Sequence, residues 1–367
     1  MRLLKKKLNS RLDFPKVNNF DSLRLLAALQ VAVVHGYEHF KLLGDSVILD
    51  YLINILKLFP GVIVFFSLSG FLIFASFDKN SALKRYVINR FLRLYPGLFF
   101  SFALTLSVLF FLGFFNSNQF FSKQGLFWLF GQLTFLQFYT PDFLRPYGLG
   151  NPNGSLWTIV IEIQFYFIVP LLFIIIKKFR ERINYFLFLI FFLSLLFNLF
   201  LDTFILKETI IYKLLCVSIF PYLLYFVMGA LIYFNYNFLG KYLNKNSFFI
   251  LIAYILICYF LSYNLHLFKM SYWPNSISLI MIVFLIWLIF TFAFKEESLL
   301  TKLLNKNDYS YGLYIYHGIV LNFLIELELD FTIKLFVFYL IISSSLAFFS
   351  WRYIESFFLK FKFYTLK

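Results

Sequence analysis

Arg24 and His35 stand with ten residues between them inside one apolar stretch, NFDSLRLLAALQVAVVHGYEHFKLL, and both side chains can act on a reacting group. On a helix rising ~1.5 Å per residue they lie roughly 16 Å apart along the axis, about half a bilayer. A buried charge is costly there unless it is paired, hydrated or able to snorkel, so both are candidate functional groups. His35 is the natural proton handler, because an imidazole titrates near neutrality. A covalent route through Ser67 or Ser69 needs a base within hydrogen-bond reach, which a sequence does not display. Direct attack by a hydroxyl that His35 deprotonates is therefore preferred to a serine nucleophile. The structural alternative carries equal weight for an isolated pair: Arg24 snorkelling to headgroups and His35 bonded to a neighbouring helix.

Further groups break the apolar pattern. Glu162 lies in SLWTIVIEIQFYFIVP with Gln164 and Tyr166 beside it, and is placed near the outer end of its helix; His317 lies in YSYGLYIYHGIV, roughly two turns into another. An acid and a histidine inside a membrane are functional candidates by default, with a structural acid–base pair between helices as the competing reading. Arg90 and Arg93, in RFLRLYP, are three apart, so on a helix they face one way and suit a polyanion. Cys216 and Cys258 sit in apolar runs and imply neither a disulfide framework nor a metal site.

The elements that must position these groups are membrane helices. Of 367 residues 61% are hydrophobic and 14% charged, whereas soluble domains carry roughly a quarter charged residues. The expected fold class is an all-α polytopic integral membrane protein with about ten transmembrane helices. The apolar segments run at 22–43, 53–76, 94–115, 157–176, 183–201, 210–234, 248–267, 276–294, 309–328 and 332–355. The connections assigned to the cytoplasm hold 24 Lys and Arg against 8 outside, so both termini are expected to be cytoplasmic. The net charge of +15 is spread over these short clusters rather than one stripe, which argues against nucleic acid as a partner. Residues 1–17 read as a cytoplasmic basic segment, 18–356 as the transmembrane domain and 357–367 as a basic tail.

Two connections stand out. Residues 116–156 form the long outer loop, mixing aromatics with a Pro/Gly/Asn-rich turn in which Asn153 or Ser155 is expected to cap the next helix; an acceptor would approach here. Pro96 is expected near the start of the third helix, and Pro221 to kink the sixth span. The basic connections around Lys177–Arg182, Lys241–Lys245 and Lys295–Lys306 are read as topology signals alone.

The blocks NFDSLRLLAALQVAVVHGY, FFSLSGFLI, RFLRLYP, SLWTIVIEIQFYFIVP and YSYGLYIYHG, in that order and spacing, resemble the signatures of the acyltransferase-3 family, membrane O-acyltransferases that modify bacterial surface polysaccharides. The resemblance covers residues 18 to about 355. It implies that His35 is catalytic and that Arg24 lies close to the acyl-donor path. Arg90 and Arg93 are implied to recognise acyl-CoA, with Ser69, Glu162 and His317 as structural or substrate-proximal groups. It further implies acetyl-CoA or another acyl-CoA as donor and no permanently bound cofactor. The acceptor would be a glycan or lipid-linked oligosaccharide, and the location the bacterial inner membrane. Some members carry an extracytoplasmic hydrolase-like domain; only KFKFYTLK follows the last predicted helix, so a single-domain glycan acetyltransferase is expected. Taken without the resemblance, the intramembrane charges and the Pro-interrupted helix suit a transporter or flippase of a lipid-linked glycan slightly better, and a non-catalytic scaffold is the third reading.

Overall fold

The computed structural model describes residues 18–361 apart from 43, 80, 179, 244–246 and 262–278. The expected basic ends, 1–17 and most of 357–367, therefore lie outside the described residues, as do parts of the predicted spans 248–267 and 276–294. What is described is helical. We label the principal helices α1 (Phe20–His39), α2 (Gly61–Lys79), α3 (Leu83–Phe111), α4 (Trp157–Lys178), α5 (Ile183–Phe204), α6 (Leu223–Phe234), α7 (Ser247–Tyr259), α8 (Leu279–Ala293), α9 (Ser310–Glu326) and α10 (Ile333–Ser350).

Helix α1 is the axis of the bundle, packed against α2, α9 and α10. Its start is fixed by Asn19, whose amide donates to the carbonyl of Phe292 at 2.9 Å while its backbone N–H donates to Ala293 at 2.8 Å. The closest helix crossing is α2 on α6. A Cβ on Gly70 would collide with the backbone carbonyl of Phe226, and one on Gly229 with that of Ser67. Small residues let membrane helices meet backbone to backbone. Around this crossing the ring of Phe71 meets those of Phe20, Phe290 and Phe294, so these phenylalanines fill the core.

Pro221 does interrupt its span. Ile210–Cys216 and Phe220–Phe234 meet at 46°. Backbone groups exposed by the break find partners on neighbouring helices: Gln164 donates to Val217 O at 3.0 Å and accepts from Ile219 N–H at 2.8 Å, and Asn198 donates to Pro221 O at 2.9 Å. Non-helical backbone at membrane depth is tolerated when protein satisfies it in this way. The kink is a packed joint.

Three expectations need correction. Helix α3 starts at Leu83, well before the predicted 94, so Pro96 lies inside it and Arg90 and Arg93 belong to the helix proper. Neither Asn153 nor Ser155 caps α4; Asn153 instead donates to Ile315 O of α9 at 2.9 Å, and Ser155 bonds to Asn153. And in place of ten spans, five helices among the described residues are long and apolar enough to cross a membrane, or seven if each bent pair counts as one. The physical reason is visible in α1 and α9. The first carries Arg24, Gln30, His35 and Glu38, and the second has 17 residues, most of them buried. Helices enclosed by other helices need not present an apolar surface to lipid, so an apolar-length test passes over the two that hold the histidines. The chain is a multi-pass membrane protein.

Candidate active site

Two clusters occupy the two ends of the α1–α9 contact, which runs parallel. At the first, Asp308 lies just ahead of α9 and bridges two helices. It is paired with Arg93 of α3, and Arg24 of α1 lies 3.5 Å from the same oxygen. Its other oxygen accepts from the backbone N–H of Ser310 at 3.1 Å and from the Ser310 hydroxyl. Burial by itself would raise the Asp308 carboxyl, but the guanidinium groups of Arg93 and Arg24 hold it down at about 2. Arg24 is therefore neutralised within the protein rather than snorkelling. Arg93 also faces the indole of Trp351 at 6.0 Å, and Trp351 is held by its donation to Asn307 at 2.9 Å.

Arg90 does not join the ion pairs. Its guanidinium lies over the rings of Tyr86 and Tyr166, 5.5 and 5.2 Å from their centroids, and Tyr86 is locked by donating to Tyr166 O at 3.0 Å. Tyr166 in turn donates its hydroxyl to Glu162.

These residues surround two neighbouring spaces. A polar vestibule of about 350 Å³ is walled by Arg24, Arg90, Arg93, Lys306, Asp21 and Asp308. Deeper lies a narrow chamber of about 50 Å³ whose wall includes Ser69, Glu162, Thr158, Ser310 and Tyr314. Arg24 and Arg93 line both, so the ion triad stands between the two. Glu162, near the loop-proximal start of α4, faces the arginine chamber. Lys306, read from sequence as a topology signal, belongs to the vestibule wall.

The second cluster is the histidine pair. His317 is fully buried, and its Nε2 lies 3.2 Å from Nδ1 of His35. Its Nδ1 lies 3.2 Å from the carbonyl oxygen of Leu313. A carbonyl only accepts, so His317 carries its hydrogen on Nδ1 and, with both rings neutral, Nε2 is an acceptor. His35 must then donate from Nδ1, which leaves its Nε2 lone pair as a base. The structural reading of His35 holds, and the bond to the neighbouring helix also sets which of its ring nitrogens keeps a lone pair. Tyr314 joins the clusters, lining the chamber while its ring centroid lies 5.7 Å from that of His317. The long loop is pinned over this end, with Leu149 N–H donating to Asn322 at 2.7 Å and Gly148 N–H to Glu326 at 2.8 Å.

The sequence reading missed Asp308, Lys306 and Tyr314. The signal for Asp308 was present: a carboxylate immediately before a helix rich in tyrosine, following Lys302 and Lys306. Tyr314 carries no such mark among its neighbours Tyr311 and Tyr316.

Comparison with known proteins adds a family match. The model of the acyltransferase domain matches residues 17–352, nearly the whole chain. Among curated proteins, nodulation protein 10 of Rhizobium leguminosarum bv. viciae is 32% identical over 170 residues, 45% of this chain and 46% of that protein. Peptidoglycan O-acetyltransferase OatA of Listeria monocytogenes serovar 1/2a is 28% identical over 182 residues, 47% of this chain and 26% of that protein. The matched stretches thus span less than half the length of either relative. No solved structure matches.

Proposed function

Because the chain belongs to the acyltransferase domain family, we propose that it transfers an acyl group, acetyl in the simplest case, from acyl-CoA to a sugar hydroxyl of a bacterial surface polysaccharide such as O-antigen or capsule. Peptidoglycan, the acceptor printed in the name of the Listeria relative, is the alternative within the same class. The observation that carries the reading is that Arg24 and Arg93 line both the polar vestibule and the chamber, together with a histidine whose tautomer makes it a base. A transporter needs neither.

In this reading the nucleotide end of the donor occupies the vestibule, where Arg90 and Arg93 meet phosphate oxygens as planar forks. Arg24, at the junction, guides the pantetheine arm, and Ser69 and Glu162 line the space that receives the acyl end. The narrowness of that space argues for a short acyl group. The acceptor oxygen attacks the thioester carbonyl carbon while His35 Nε2 takes the hydroxyl proton. The tetrahedral adduct collapses, the C–S bond breaks, and the departing sulfur takes up that proton as CoA thiol. His317 accepts a hydrogen bond from His35 Nδ1 throughout and steadies the imidazolium. The bias of 24 against 8 basic residues supports the vestibule facing the cytoplasm, both termini inside, and the bacterial inner membrane as the location. Ten crossings require that α1, α8 and α9, too polar or too short to qualify alone, also traverse.

The test is ester analysis of the surface glycan in cells with and without the gene, complemented with wild type or His35→Ala at equal membrane abundance. Loss of an O-acyl ester, restored by wild type only, is expected. Unchanged acylation with altered glycan export would transfer the assignment to a lipid-linked glycan flippase.

A further inference from the structure

We propose that Lys306 is the residue that reads the 3′-phosphate of the donor, making the enzyme selective for CoA over its dephosphorylated form; this rests on the donor reading above. Four cations and two carboxylates line the vestibule. Arg24 and Arg93 are engaged with Asp308, and Arg90 is stacked on two tyrosine rings. Among the described residues Lys306 has no ion pair, and its side chain is exposed. It is the charge with most freedom to meet a ligand.

Position decides which part of the ligand. Arg24 and Arg93 border the chamber as well as the vestibule, so they meet the donor where its arm turns inward. Lys306 borders the vestibule alone and lies at its exposed rim. In CoA the group most remote from the thioester is the adenosine, with its 3′-phosphate monoester, a near-dianion at neutral pH for which a compact ammonium is a suitable partner.

The backbone supports a role for the side chain. The helix Leu299–Leu304 ends in two successive left-handed residues, Asn305 at φ 45° and Lys306 at φ 65°. Asparagine is common in that conformation; lysine is not, and glycine would hold the same turn without strain. Such strain gathers at ligand clamps, where the side chain does something the local fold does not require. The tight turn also delivers the chain to Asn307 and Asp308, which hold Trp351 and the two arginines.

The experiment is calorimetric titration of the purified full-length protein with CoA and with 3′-dephospho-CoA. Wild type is expected to prefer CoA by about five- to tenfold, in keeping with one partly exposed charge–phosphate contact. In Lys306→Gln the preference falls to near unity through weaker CoA binding, dephospho-CoA being unaffected, and Lys306→Arg restores it. Lys306→Gly separates the roles: relief of backbone strain raises the melting temperature, yet the preference is lost as in Lys306→Gln. Equal binding of both ligands by wild type, or an unchanged preference in Lys306→Gln, would overturn the assignment while leaving the donor reading intact. Failure of wild type to bind either ligand would remove the donor reading and this inference with it.

Discussion

His317 accepts a hydrogen bond from His35: its Nε2 lies 3.2 Å from Nδ1 of His35, and its own Nδ1–H is turned to Leu313 O. The two rings belong to helices distant in sequence, and the direction of the bond makes one a base and the other its support. His317→Leu is therefore expected to lower the acyl-transfer rate by ~10²-fold, as loss of an orienting partner typically does, with CoA affinity unchanged. His317→Gln, whose side-chain oxygen accepts in place of Nε2, should recover part of it. Single-turnover rates beside binding constants decide; a parallel loss of CoA binding would reduce His317 to a packing role.

Asp308 gives a prediction in pH. Its carboxyl is held at about 2, below the ordinary 3.8, by Arg93 and Arg24 despite burial. A group depressed in the folded state stabilises above its unfolded pKa and loses that contribution as pH falls through the folded value, so the ion triad contributes fully above pH 4 and fades toward pH 2. Asp308→Asn should cost roughly 3 kcal/mol at neutral pH by stranding two guanidinium groups, and flatten the acid limb of the melting profile. Thermal melts in detergent from pH 6 to 2 measure both; an acid limb like wild type's would discount the triad.

Gly70→Ala and Gly229→Ala each place a methyl group against a backbone carbonyl across the α2–α6 crossing. Neither carbonyl can move without its helix, so each substitution should cost at least ~2 kcal/mol, more than overpacking against side chains. Reduced melting temperature and membrane abundance are the expected readouts. A neutral result would mean that the helices separate easily.

Tyr314 stands between the chamber and His317. Tyr314→Trp should fill the passage, lowering transfer more than tenfold while CoA still binds in the vestibule. If transfer proceeds unimpaired, the acyl group reaches His35 by another way.

The membrane class, the helical architecture and most of the candidate site residues were already legible in the order of amino acids. Composition excludes a soluble fold, and polar groups stand out in apolar segments because burying them is expensive. Arg24, His35, Arg90, Arg93, Glu162 and His317 were all recognisable on that ground. Gln164 stood beside Glu162, but its bonds to both Val217 and Ile219 depend on a neighbouring helix breaking at its level.

Tertiary structure alone decided how these groups combine. That Asp308 pairs with two arginines, that Glu162 shares their chamber, and that His317 lies against His35 are contacts spanning up to 284 residues of sequence separation. No local pattern encodes them, because they arise from which faces of α1, α3, α4 and α9 meet. The polar groups of α1 and α9 follow the same rule: both helices pack against other helices, and polarity that would be prohibitive against lipid is stable against protein.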